Sequence, residues 1–132
     1  MKKLPLLLIL SLIISFGCSS DNEENNCFYY DKSPVTDISC PDTVNYGETI
    51  KLDITFFIEN GCGEFFEYKL YKDESIYLYN INITSKYVGC ACPEIAKYET
   101  KTIDFFPPSP GKIYFAYIDK GTLIKIDSVF VK

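Results

Sequence analysis

The sequence predicts an all-β domain, a single antiparallel β-sandwich of about seven strands. Three observations carry that expectation. Residues 50–58 alternate Ile50, Leu52, Ile54, Phe56 and Ile58 with Lys51, Asp53, Thr55 and Phe57, which gives a strand one buried face and one mostly polar face. Turn signals recur at short, fairly even spacing from residue 35 onward, and no window shows a helical period. The chain also holds 11 Tyr and 10 Phe in 132 residues, a load of rings suited to strands.

Taken in order, residues 35–40 read as an edge strand. Pro41-Asp42-Thr43-Val44-Asn45-Tyr46-Gly47-Glu48 follows, where Pro blunts the edge and Gly turns the chain. After the strand at 50–58, Glu59-Asn60-Gly61-Cys62-Gly63 supplies residues tolerant of positive φ and reads as a turn. Residues 65–71 form the next strand, and Lys72-Asp73-Glu74-Ser75 turns it. Residues 76–88 are long for one strand, so a bend or bulge is expected near Asn80-Ile81-Asn82. Gly89-Cys90-Ala91-Cys92-Pro93-Glu94 breaks the pattern, which resumes at 98–106. Pro107-Pro108-Ser109-Pro110-Gly111 cannot be a paired strand and must be a loop. Ile113, Phe115 and Tyr117 then alternate inward, Asp119-Lys120-Gly121 turns, and 123–131 closes the domain. The last strand changes phase, from Ile124 and Ile126 to Val129 and Val131, and a bulge near Asp127 would explain it.

The strand spacing, the Pro-x-x-Val-x-x-Gly opening at Pro41 and the Pro110-Gly111 pair together resemble bacterial immunoglobulin-like or fibronectin-type domains over residues 35–132. The resemblance implies a two-sheet sandwich. The Cys…Trp…Cys signature of antibody domains is absent, since the chain has no Trp.

Ahead of this domain, Met1-Lys2-Lys3 gives a positive start, and residues 4–14 are apolar apart from Pro5 and Ser11. A membrane span needs about 20 apolar residues, so this run fits the core of an export signal. Gly17-Cys18 resembles the lipobox of bacterial lipoproteins, with Ser15 and Phe16 standing where Leu and a small residue are usual. The acidic run Cys18-Ser19-Ser20-Asp21-Asn22-Glu23-Glu24 is similar to the export tag of Bacteroidota surface lipoproteins. These resemblances imply a signal peptide at 1–17, lipid on Cys18, an acidic tether over 18–26 and one domain over 27–132. They imply an outer-membrane lipoprotein exposed at the cell surface. Eight polar, aperiodic residues reach about 16 Å on average and at most about 28 Å, so the domain is held close to the membrane.

With Cys18 assigned to lipid, five cysteines remain, and disulfides are their default fate in an exported protein. In an up-and-down reading, Cys27, Cys62 and the Cys90/Cys92 pair lie at one end. Cys62 is then expected to bond one of Cys90 and Cys92, and Cys27 the other, leaving Cys40 as a free thiol packed as a small apolar residue. A Cys27–Cys40 bridge is the main rival. A thiolate metal or redox site at Cys90-Ala91-Cys92 is weighed against the disulfides. It is disfavoured by the lack of His and of any Met besides Met1, so no metal or cofactor is expected.

Composition narrows function further. Removing Lys2 and Lys3 from the 13 lysines leaves 11 against 18 acidic residues, a net charge of −7 with no Arg, which argues against nucleic-acid binding. Without His, Ser-His-Asp and Cys-His catalysis lack their base, and no carboxylate pair or phosphate-binding Gly loop stands out, so no catalytic residue is named. Phe57, Phe65, Tyr71, Tyr77, Tyr79, Tyr87 and Tyr114 are too many for one core face. They form cross-strand ladders, fill the core, or line a surface for a protein or glycan partner. The expected role is a non-enzymatic, lipid-anchored envelope module for binding or structural contact. The alternatives are an inhibitor-type or Cys-based metal-handling lipoprotein.

Overall fold

The computed structural model describes residues 27–73 and 75–132, which are all-β and form two packed sheets. Residues 1–26, with the expected signal peptide, Cys18 and the expected tether, lie outside the described residues. The strands are β1 (Phe28–Ser33), β2 (Val35–Ser39), β3 (Thr43–Val44), β4 (Ile50–Ile58), β5 (Gly63–Asp73), β6 (Leu78–Val88), β7 (Lys97–Phe105), β8 (Gly111–Asp119) and β9 (Thr122–Val131). A six-stranded sheet holds β1, β3, β5, β6, β8 and β9, and a three-stranded sheet runs β2-β4-β7.

The expected count of about seven strands is therefore corrected to nine, and Pro34 explains much of the difference. It has no N–H to give a ladder. β1 ends at Ser33 on β6 of the larger sheet, while β2 starts at Val35 on β4 of the smaller one. One stretch of chain thus serves both sheets. Pro34 still uses its carbonyl, which accepts from Phe57 N–H at 2.9 Å. The pairing is also not wholly antiparallel. β3 lies parallel to β9 and β6 lies parallel to β8 over Leu78, Tyr79 and Asn80.

β6 accounts for the large sheet. β5 covers one of its edges through an antiparallel hairpin. The other edge is shared: β8 takes it at Leu78, Tyr79 and Asn80, and β1 takes it from Ile83 to Val88. No bulge interrupts β6 at Asn80-Ile81-Asn82. Those residues mark the change of partner, and Asn80 Oδ1 accepts from Ile118 N–H at 3.2 Å where β8 leaves the ladder. The irregularity lies across the hairpin, in β5, where the register slips between Phe65 and Glu67. In β9 the expected bulge near Asp127 is likewise displaced. Tyr117 pairs with Lys125 and Ile118 with Leu123, so Ile124 is the extra residue. Leu123, Ile124 and Ile126 remain exposed while Val129 and Val131 enter the core.

That core follows the period-2 pattern. Ile50, Leu52, Ile54, Phe56 and Ile58 of β4 pack with Ile81, Ile83 and Tyr87 of β6, Ile113 and Phe115 of β8, and Val129 and Val131 of β9. Phe105, Tyr79 and Phe115 meet edge to face or tilted, with centroids 4.7–5.9 Å apart, a favourable ring geometry. On the far face of the smaller sheet, Thr55 and Thr100 share a 2.8 Å hydrogen bond and Lys51 pairs with Asp104 at 3.1 Å.

The smaller sheet is too narrow to cover the larger one. Tyr68 and Leu70 of β5 pair with buried Ile83 and Ile81, so they point toward the core side, yet Tyr68 is 41% exposed. Charged residues occupy the gap. Lys97, Glu99 and Lys101 of β7 stand opposite buried Ile58, Phe56 and Ile54. Lys97 and Glu99 form an ion pair at 2.9 Å, and Lys101 Nζ lies 5.2 Å from the Phe65 ring centre. Inward charge on an edge strand discourages a further strand from pairing there.

Two contacts tie the sheets together along the β2–β9 side. The Asp127 carboxylate accepts from Cys40 N–H at 2.9 Å and from the Cys40 thiol at 3.4 Å. Within the core, the Ser33 and Ser85 hydroxyls share a 2.6 Å hydrogen bond that satisfies both buried groups. Gly63 allows the closest approach. A Cβ there would stand 2.3 Å from Ile58 Cγ2 and 2.7 Å from Tyr87 Cε1. Gly63→Ala is therefore expected to cost about 1–3 kcal/mol by overpacking, read as a lower urea midpoint. An unchanged midpoint would show that the Ile58–Tyr87 contact yields freely.

Candidate functional site

The chemistry-bearing residues gather at the end of the sandwich where the described chain begins. The turn between β4 and β5, the β6–β7 loop and Cys27 meet there. Cys27 is bonded to Cys90 and Cys62 to Cys92, with Cα–Cα distances of 4.9 and 5.4 Å. The two sulfurs of the Cys90-Ala91-Cys92 stretch thus reach in different directions, one to the start of β1 and one to the turn at Cys62.

Backbone bonds reinforce the staples. Gly89 N–H donates to Cys27 O at 2.8 Å, Gly61 N–H to Pro93 O at 2.9 Å and Val88 N–H to Cys62 O at 3.2 Å. Asn60 Oδ1 accepts from Cys62 N–H at 3.0 Å, an Asx-type turn that fixes the Cys62 backbone. Gly89 has φ +139°, and a Cβ there would stand 2.8 Å from Cys62 Sγ, so both backbone and space call for Gly. In the chain-entropy account, closing the 63-residue separation contributes about 4 kcal/mol and the 30-residue one about 3.5 kcal/mol. The loops overlap, so these figures are not additive.

Aromatic rings surround this end on two sides. Tyr29 stacks on Tyr87 at 4.7 Å with planes 5° apart, and the Tyr87 hydroxyl accepts from Glu59 N–H at 3.3 Å. On the opposite face of β1, Phe28 and Tyr30 lie 6.1 Å apart, and Tyr30 meets Phe66 at 4.6 Å. Val88 pairs with Phe28, and Lys86 Nζ lies 5.7 Å from its ring centre. Phe28, Tyr30, Phe66 and Val88 are each about half exposed.

The rings singled out from the sequence divide differently. Tyr79 and Tyr87 are core residues. Phe57 packs on Tyr98 across the β4–β7 pair with centroids 5.4 Å apart, and Phe65 packs on Phe56 at 5.9 Å. Tyr114 is half-buried beside Lys112, and Tyr71 and Tyr77 stay exposed. The exposed group of Phe28, Tyr30 and Phe66 escaped sequence reasoning. β1 itself was not foreseen, and Phe66 is displaced by the slip in β5. The run Phe28-Tyr29-Tyr30 was the available signal.

Among the described residues Cys40 is the free cysteine, half-buried just past β2. Burial, then the neighbouring Asp127 carboxylate and its hydrogen bond, with Asp42 adding to them, push the thiol up to about 12. A thiol held protonated is a poor nucleophile. Among the described residues no three His, Cys, Asp or Glu side chains converge as a metal-holding group. Cys18, the position expected to carry lipid, lies outside the described residues. Comparison with family models, curated proteins and solved structures returned no match to this chain.

Two measurements follow from this geometry. Replacing Cys27 and Cys90 together by Ala should lower unfolding stability by about 4 kcal/mol, whereas Cys40→Ala should change it by under about 1 kcal/mol. Equal effects would assign the wrong cysteines to the staples. The raised Cys40 value also sets a pH dependence: the folded state holds its thiol proton longer than the unfolded state does. Its contribution is intact below the ordinary value of 9.0 and is lost as pH rises toward 12. The wild type should therefore lose stability relative to Cys40→Ala between those limits in denaturant titrations. Parallel curves would mean the thiol titrates normally.

Proposed function

We propose that the protein is a non-enzymatic, lipid-anchored module of the outer membrane, displayed at the cell surface and held there through Cys18. The carrying observation is the pair of disulfides at the end of the domain that adjoins the tether, because such staples persist in oxidising compartments. The apolar run at residues 4–14, the Gly17-Cys18 step and the acidic residues behind it supply the matching address. The Cys40 thiol favours a non-catalytic role, since burial and then Asp127 keep it protonated. The working surfaces would then be strand edges, end loops and exposed rings meeting a protein or glycan.

The domain reads best as a variant of the immunoglobulin-like sandwich. The sheet order β2-β4-β7 corresponds to the A-B-E part of that fold, and the β8–β9 hairpin to its F-G pair. The parallel contact of β6 with β8 departs from the standard arrangement, and so does the placement of β6 in the larger sheet.

Cell fractionation tests the anchor. The wild-type protein should sediment with outer membranes and lose signal when whole cells are treated with protease. Cys18→Ala should move to the soluble fraction. If that variant stays with the membrane, the lipoprotein reading is wrong; if whole-cell protease leaves the wild type intact, the domain faces the other side.

A further inference from the structure

We propose that the outward face formed by Phe28, Tyr30, Phe66 and Val88 is a membrane-docking surface, resting on the bilayer that carries the Cys18 lipid. This rests on the anchored reading above, and adds to it an orientation for the domain. The surface starts at the first residue after Cys27, and only eight residues separate Cys27 from Cys18. Such a connection extends at most about 28 Å, so the ring cluster stays within that reach of the bilayer. The exposed Leu123, Ile124 and Ile126 of β9 have no such tie.

Chemistry fits the interface. The three rings form one continuous group, Phe28 to Tyr30 at 6.1 Å and Tyr30 to Phe66 at 4.6 Å. Tyr30 suits the level of lipid headgroups, where its ring is buried and its hydroxyl stays wet, and Phe28 and Phe66 beside it add apolar area. Lys86 stands at the edge of the group with its ammonium over Phe28, placed to meet a phosphate. Glu64 pairs across the ladder with Lys86, and Glu67 forms an ion pair with Lys69 at 3.0 Å, so the surface carries no large net charge. A zwitterionic bilayer is the occupant this balance favours.

Affinity need not be high. A short tether holds a site at an effective concentration on the order of mM, so docking too weak to recruit a free protein still orients a tethered one. Docked in this way, the disulfide end lies at the membrane, and the exposed β4–β7 face, with Phe57 and Tyr98, points away from it.

The chain has no Trp, which makes single-Trp reporters unambiguous. The lipidated full-length mature protein would be reconstituted in phosphatidylcholine vesicles with and without brominated acyl chains. Reporters would be Phe66→Trp, Phe28→Trp and, on the opposite sheet, Tyr98→Trp, which replaces a 67% exposed ring. The proposal expects at least twofold quenching and a blue shift for F66W and F28W and unchanged emission for Y98W. Adding Tyr30→Ser to F66W should reduce the quenching. Protein that floats with vesicles while all three reporters stay unquenched overturns the docked face alone, and so does equal quenching of all three. Protein that fails to float overturns the anchor, and the docked face with it.

Discussion

The bond between Cys27 and Cys90 governs how this domain meets the rest of the chain. β1 is an edge strand whose backbone pairs with β6 alone, and such a strand is the first to peel when its end is pulled. Joining Cys27 to Cys90 passes any load on the entering chain into the β6–β7 loop instead, and Cys62–Cys92 passes it on to the β4–β5 turn. Both sheets are reached through covalent bonds within a few residues. β1 can then carry exposed Phe28 and Tyr30 on its outer face without that exposure endangering its attachment.

A second constraint is unequal sheet width. Six strands facing three leave the inner side of β5 short of cover, and a full apolar surface there would invite a tenth strand or a second molecule. The sequence meets this with Lys97, Glu99 and Lys101: the first two form an ion pair and the Lys101 ammonium lies over the Phe65 ring. At the other side, Asp127 bonds the Cys40 backbone and holds β2 to β9. The sandwich is thus pinned at one long side, shielded by charge at the other and stapled at one end.

Much of this was legible in the sequence. The alternation at Ile50–Ile58 appears as β4 with every alternate residue fully buried, because a single strand's pattern depends only on its own two faces. The proline-rich stretch after β7 is a loop for the local reason that Pro lacks an N–H. What escaped was pairing. Asn80 and Asn82 suggested a bend, whereas the strand runs on and its neighbours change, and a single-strand pattern carries no information about which strand lies alongside. The phase change in β9 was visible, but the register with β8 is unbroken from Lys125 to Val131: Ile124 and Ile126 are exposed apolar residues, while Val129 and Val131 face the core. The division of residues 28–39 between two sheets hinged on Pro34, whose effect is clear only once β6 and β4 are both in place. The cysteines shared one end in either reading, since an odd or even number of crossings decides that. Which partner Cys27 takes required coordinates.

The central claim is that Cys18 bears lipid, four cysteines pair as staples and Cys40 stays free. Intact-mass analysis of the membrane-extracted protein, alkylated in denaturant without reductant, tests all three at once. The account predicts a chain beginning at Cys18, heavier by a lipid adduct and by one alkyl group, that takes up four more alkyl groups after reduction. A chain retaining residues 1–17, or one without the lipid mass, would contradict it.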